Sequence, residues 1–417
     1  MSAAANVKNI AATIGLALIV ALMPVYAQAA AAPVLTPSRL NILAFAVCAG
    51  LCLRKVGHVR SHHALQADMQ CFAVFVVCCI AFWALGFDLL RSVNSKSALI
   101  RGVVGGFSLG GWYPGSARSM LIELAAAAIT GQVVIGTLAE RIRLVPLLIF
   151  LAVLAGVVFP IAASWQWGGG WLAGAGFVDF AGATVIHSVA GWAALAGAIV
   201  VGARPGRFAR DGEPHGMGNH SGLLMVLGSL VLWLGWQGLV GGLRAGTPMP
   251  PSSTTLAHVL TVTNVAAVSG LIAATAASAL VPRWFTVDAT LNGLIAGLVA
   301  ISADPIHATI LWSIVVGVGA GLIVAYAPIL LYRLRLDDVT GSIPAHLGAG
   351  IWGTLVAAFS APGANLAIQL LGVLAVGAGA FIVSFVLLVI LQLLFGLRSI
   401  SGGPISTGHA ASGRPAS

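Results

Sequence analysis

Eleven stretches of this chain are apolar and long enough to lie in a lipid bilayer, which limits the fold before any single residue is considered. They fall at 39–53, 70–90, 119–138, 144–164, 180–202, 219–240, 255–281, 286–302, 306–332, 344–360 and 367–396. A hydrocarbon core about 30 Å thick takes about 20 helical residues. In lipid the backbone must satisfy its own hydrogen bonds, so only helices and closed barrels span it. Long, continuous apolar runs are the helical solution. With 59% hydrophobic and 7% charged residues, the composition excludes a soluble domain. The 52 glycines suit helices packed backbone to backbone. The expected fold is an all-α polytopic membrane protein with eleven transmembrane helices.

Residues 1–29 read as a signal peptide. Lys8 supplies the positive start, Ile14 to Met23 the apolar stretch, and Ala27-Gln28-Ala29 a small-x-small cleavage site. The other reading is an uncleaved first span, against which Pro24 and the short apolar length argue. The transmembrane domain is then 30–398, and 399–417, rich in Ser, Gly and Ala, is a disordered tail. With the mature N-terminus outside, the inner segments hold Arg54, Lys55, Arg60, Arg141, Arg143, Arg204, Arg207, Arg210, Arg283, Arg333, Arg335, Arg398 and Arg414. The outer ones hold Arg39, Arg91, Lys96, Arg101, Arg118 and Arg244. This excess predicts an N-out, C-in multi-pass protein. It also accounts for the formal charge of +9, so no nucleic-acid partner is needed.

Two histidines fall inside apolar windows. His187 follows Asp179 by eight residues, in Asp179-Phe180-Ala181-Gly182-Ala183-Thr184-Val185-Ile186-His187. On one helix that spacing places the two on roughly one face, about 12 Å apart along the axis. His346 follows Asp338 by the same eight, and Gly191 and Gly350 each lie four residues beyond a histidine. The bland reading is a satisfied core histidine and a capping aspartate. The repetition favours another. His187 lies in the fifth window and His346 in the tenth. Five spans is an odd number, so two such halves are inverted in the membrane, with a site at their interface around a central pore. Two neutral imidazoles there can hydrogen-bond to each other.

These residues resemble the ammonium transporter (Amt/Mep/Rh) family. The resemblance covers nearly the whole chain. It rests on the Asp179–His187 run, Gly136-Thr137-Leu138-Ala139-Glu140-Arg141-Ile142-Arg143, Asn292-Gly293-Leu294-Ile295-Ala296-Gly297-Leu298-Val299, and Asp337-Asp338 followed by His346. It implies a homotrimer with one pore per subunit and passage of ammonia past paired histidines, matched here by His187 and His346. It implies an outer vestibule with Asp179 behind it and Trp167 at it. An indole face attracts ammonium by up to ~2 kcal/mol when desolvated; without the family match, Trp167 reads as an interfacial tryptophan. Where the family stacks two gate phenylalanines, this chain has Ala126 and Leu239. Leu243 replaces the vestibule serine, and Gly341 a third aspartate.

Glu123 lies three residues before Ala126 on the same helical face. It is a candidate for attracting a cation where the serine is gone; the alternative is a structural glutamate near Arg118. The Glu140–Arg143 run reads as topology and helix capping. The expected function is channel-like transport of ammonium/ammonia at the inner (plasma) membrane. The alternatives are a weakly conducting ammonium sensor on the same scaffold, or a pore for another small neutral solute. A cytoplasmic PII-type regulator is a partner the family implies. No nucleophile with a paired base, phosphate loop or metal-ligand cluster is evident, so no enzyme, cofactor or metal is expected. His58, His62 and His63 read as a basic turn. Cys48, Cys52, Cys71, Cys78 and Cys79 read as small apolar residues.

Overall fold

The structure is a computed structural model that describes residues 37–91, 116–243, 253–280 and 287–399. The signal, the tail from 400 on and most of 245–254 lie outside the described residues. Nine described helices are long and apolar enough to cross a membrane, and two shorter ones, Val287–Ile301 and Ile343–Phe359, occupy the eighth and tenth windows. Every apolar window therefore carries a helix.

In chain order, α1 (Pro37–Leu43) runs into α2 (Phe45–His58), and α3 (Ala64–Ala81) continues through a π turn into α4 (Phe87–Arg91). Next come α5 (Ser116–Leu138), α6 (Leu144–Val153), α7 (Phe159–Gln166), the short α8 (Trp171–Gly174) and α9 (Val189–Val201). The second half holds α10 (Gly222–Gly242), α11 (Ser253–Leu280), α12 (Val287–Ile301), α13 (Ile310–Arg333) and α14 (Ala349–Val356), and α15 (Leu366–Phe395) is the last described helix. Caps set several of these starts. Ser221, Thr309 and Asn365 each accept a first-turn amide of α10, α13 and α15.

Burial orders the bundle. The most apolar part of the α5 span is 89% buried, against 33% for α15, so α5 is a central helix and α15 a peripheral one. The exposed face of α15 carries Leu370, Leu374, Val386 and Leu393, apolar side chains that only lipid or another apolar surface tolerates. Between helices, small residues set the spacing. A Cβ on Gly297 of α12 or on Gly317 of α13 would run into the same carbonyl, that of Ala266 in α11. Three backbones meet there, closer than any side chain permits.

Two expectations are corrected. Arg54 and Lys55 do not belong to an inner loop; both lie within α2 and are buried, at 2% and 1% exposure. Their charge closes a hydropathy window, but the helix continues through Val56 and Gly57 to His58. Lys55 Nζ donates to the Ala67 carbonyl at 3.1 Å and to Gln70 at 3.3 Å. Asp179, in turn, does not share a helix with His187. The chain turns at Gly182, whose φ of 88° is a left-handed value that glycine adopts without strain, and the helix begins at Ala183.

Candidate functional site

Asp179 builds the start of the helix that carries His187. Its Oδ1 accepts the Gly182 amide at 3.1 Å, and its Oδ2 accepts the amides of Thr184 and Val185 at 2.9 and 2.8 Å. Helix N-termini leave such donors unpaired, and a carboxylate there satisfies them while favouring the dipole. The first turns, Ala183–Ser188, are wound as π-helix, with His187 in them. Trp167 closes the other side of Asp179: its indole N–H donates to the Asp179 carbonyl at 3.0 Å. The sequence therefore named two residues that the fold brings together.

The second half repeats the device. Asp338 Oδ2 accepts the Ile343 amide at 2.7 Å and Oδ1 accepts the Thr137 hydroxyl at 2.9 Å. A π-helix, Ile343–Gly348, follows and carries His346. The two histidine segments then interlock. A Cβ on Gly191 would meet Leu347, at 2.5 Å from its Cβ, and one on Gly350 would meet the Ala183 carbonyl and Ser188 Oγ. Each half thus lends a bare backbone patch to the other half's histidine. Thr184 and Thr354 hydroxyls bond across the same seam at 2.7 Å.

The result is a pair of buried imidazoles with Nδ1 to Nδ1 at 3.2 Å. One Nδ1 must donate and the other accept. In a neutral pair the donor ring is left with a bare Nε2 and the acceptor ring with an Nε2–H. The pair therefore offers one acceptor and one donor at its two outer nitrogens. His187 Nε2 has no protein partner. Trp236, whose significance the sequence reading missed, stacks on His187 at 4.8 Å and 14°, and is held by its N–H to Ser302 Oγ at 3.2 Å. Ser302 also accepts the Ala181 amide through its carbonyl, at 2.7 Å. One residue therefore anchors both the aspartate turn and the ring over the histidine.

We expect Gly191→Ala and Gly350→Ala each to cost about 1–3 kcal/mol and to lower transport, because the imidazoles can then meet only if a backbone shifts. Thermal unfolding and flux of the purified variants check this, and wild-type values for both would refute it.

The remaining candidates divide. Ala126 and Leu239 are fully buried, and with Leu243 they belong to the continuous apolar core. Glu123 is buried and pairs with Arg91 Nη2 at 2.5 Å, while its Oε2 has no partner. The partner weighed from the sequence, Arg118, has a side chain outside the described residues.

At the opposite end of the molecule Asp337 gathers three arginines. Arg204 Nε lies at 2.8 Å from Oδ2, Arg207 Nε at 3.3 Å from Oδ1, and Arg141 Nη2 donates to the Asp337 carbonyl at 2.5 Å. Glu140 holds the Arg60 amide and Nε at 2.6 and 2.8 Å. Glu140 and Arg141 of the Glu140–Arg143 run thus belong to a buried charge network rather than to helix capping alone, whereas Arg143 is exposed. Beside it opens a cavity of about 790 Å³, lined by His58, Asp288, Asn292 and Tyr332 among others. Among the described residues no group of three or more His, Cys, Asp or Glu could hold a metal ion. His58 and His63 are buried rather than on a solvated turn.

Comparison with known proteins agrees with the helical membrane fold. The model of the Ammonium Transporter Family matches residues 39–402. Ammonium transporter Amt2 of Archaeoglobus fulgidus is 33% identical over 326 residues, which is 76% of this chain and 68% of that protein. Ammonium transporter Amt1 of Haloferax mediterranei is 31% identical over 86% of this chain and 73% of its own. The crystal structure of Candida albicans Mep2 superposes with a TM-score of 0.78 at 25% identity, covering 88% of this chain and 85% of that one. A structure described as a sensor Amt protein does so at 0.77 and 25%, covering 87% and 93%. With its helices, its two aspartate-capped histidine segments and these relatives, the chain belongs to the ammonium transporter family.

Proposed function

We propose that this multi-pass membrane protein conducts ammonium nitrogen as ammonia, with His187 and His346 as the polar station in an otherwise apolar path. The observation that carries the reading is the 3.2 Å contact between the two buried rings. Ammonium entering such a core must shed its hydration, and a bare buried charge is costly. Ammonia is uncharged, accepts one hydrogen bond and donates others. The pair's single donor and single acceptor match it. Asp179 and Trp167 form the recruiting end: the aspartate fixes the turn and the indole, half-buried beside it, supplies a face for the cation. In this reading that end faces out and the Asp337 end faces the cytoplasm, so the N-terminus is outside and the C-terminus inside. The membrane is the inner (plasma) membrane and the unit a homotrimer. Loop 203–218, pinned by Arg204 and Arg207 to Asp337, offers a PII-type regulator a fixed surface.

The test is an ammonium step applied to protein-bearing liposomes, with solid-supported-membrane current and internal pH read together. We expect flux in wild type and its loss in His187→Ala/His346→Ala. Undiminished flux in the double variant refutes the role of the pair. A second reading, an ammonium sensor, is favoured by one observation: the space beside His346 is only about 10 Å³, room for about one water-sized molecule. Folded wild type that binds ammonium but passes none would establish it.

A further inference from the structure

Arg54 is the one charged side chain in that small space. The void is walled by Leu51, Arg54, Gln132, Asn292, Thr340 and His346, among others, so Arg54 and His346 both border it. Asn292 and Thr340 also line the 790 Å³ cavity at the Asp337 end. The two spaces therefore have Asn292 and Thr340 as common walls. Arg54 is fixed across the way: Nη1 donates to Ser229 Oγ at 2.5 Å and Nη2 to Asn292 Oδ1 at 2.6 Å, and Asn292 in turn donates to the Thr340 carbonyl at 3.0 Å.

Both partners of the guanidinium are neutral, so its charge is not cancelled at close range. Among the described residues it has no carboxylate within ion-pair distance. Asp288, one helical turn further along, is 3.0 Å from His58 Nε2, whose other nitrogen, Nδ1, donates to the Arg54 carbonyl at 2.6 Å. That imidazole stands between the carboxylate and Arg54's own backbone. Lys55 points away, to Gln70 and Ala67 on α3. An ionisable residue buried at 2% exposure within a membrane helix marks a pathway by default.

We propose that Arg54 is the charge filter of this protein, the residue that sets how much charge accompanies each nitrogen. The inference rests on the transport reading above and deepens it. A second cation in a void of this size lies within a few ångströms of the guanidinium. At an effective protein dielectric, that repulsion lowers its occupancy by roughly two to three orders of magnitude. An ammonium ion, a potassium ion and a proton on His346 are all disfavoured alike, whereas ammonia is not. Each ammonium therefore leaves its proton in the solution at the Asp179 end, ammonia passes, and a proton from the solution at the Asp337 end re-forms ammonium there.

The experiment compares wild type, Arg54→Met and Arg54→Lys in liposomes, measuring charge moved per nitrogen by current and internal alkalinisation together. Wild type and Arg54→Lys are expected to alkalinise the lumen without sustained current. Arg54→Met is expected to raise the charge-to-nitrogen ratio at least tenfold. If Arg54→Met does not fold, Asn292→Asp serves instead, because it sets a carboxylate against the same guanidinium with a change of one atom. The expectation for it is the same rise. A wild type that moves one charge per nitrogen, or an Arg54→Met and Asn292→Asp that stay electroneutral, overturns the filter and leaves the transport reading standing. A wild type that passes nothing while Arg54→Met passes ammonium with current overturns the transport reading and supports the filter as a complete block. No flux in any form overturns both.

Discussion

Asp179→Ala is expected to unfold the histidine end of the first half at a cost of about 5 kcal/mol, and to remove transport with it. The variant leaves three buried amides, those of Gly182, Thr184 and Val185, without the oxygen atoms they now reach. Each hydrogen bond to a charged group contributes roughly 1.5–3 kcal/mol, and each orphaned donor costs about 1–3. The three share one side chain and do not add fully. Asp179→Asn is expected to fall between: its one carbonyl oxygen serves either Gly182 or the Thr184–Val185 pair, and its NH2 then faces a backbone N–H. Asp338→Ala is expected to cost less than Asp179→Ala, because Asp338 accepts one backbone amide and the Thr137 hydroxyl. Thermal unfolding of the three variants in detergent decides the order. An Asp179→Ala midpoint within a degree of wild type would sink this account of the turn.

The second large effect lies at the other end. Asp337→Asn is expected to destabilise the protein by about 3–5 kcal/mol, the usual cost of breaking a buried ion pair from one side. It leaves Arg141, Arg204 and Arg207 facing one another over a neutral amide. The pH dependence follows from the direction of its titration. Burial acts to raise the Asp337 carboxyl, but the hydrogen bonds from Arg204 and the charges of Arg141 and Arg204 outweigh it and hold the group below the ordinary carboxylate range. The folded value is therefore below the unfolded one. Its contribution is complete above the unfolded value, about 3.9, and is lost as pH falls through the lower folded value. The gap in unfolding midpoint between wild type and Asp337→Asn should be constant from pH 7 to about 5 and close below about 4. A gap that closes already between pH 7 and 6 would mean that another group carries the effect.

The sequence made some of this legible and not the rest, for definite reasons. The eleven windows carry helices because apolar length is a local property, visible in any stretch of 20 residues. The eight-residue spacing of Asp179 to His187 and of Asp338 to His346 survived as two versions of one capped turn. Its meaning was misjudged for Asp179: a glycine with positive φ interrupts what periodicity treats as one helix. Arg54 was misplaced because hydropathy ends a window at a charge, whereas the helix ends where its hydrogen bonds do. The signal that finds it is the resumption of Val56-Gly57-His58 after the two cations. Trp236 carried no local signal of its role. Nothing in Gly235-Trp236-Gln237 tells that an imidazole from 49 positions earlier lies flat against the ring.

The exchange of glycine patches between the two histidine segments has a consequence for how the molecule comes into being. His187 and His346 stand 159 residues apart in the chain. Each needs the other half's backbone to hold its place. A chain emerging in order has its first histidine long before the surface that seats it, and contacts of such sequence separation form late. No partly made or half-folded chain therefore contains a finished conduit. The permeability of the membrane is protected during assembly by the same symmetry that completes the site at its end.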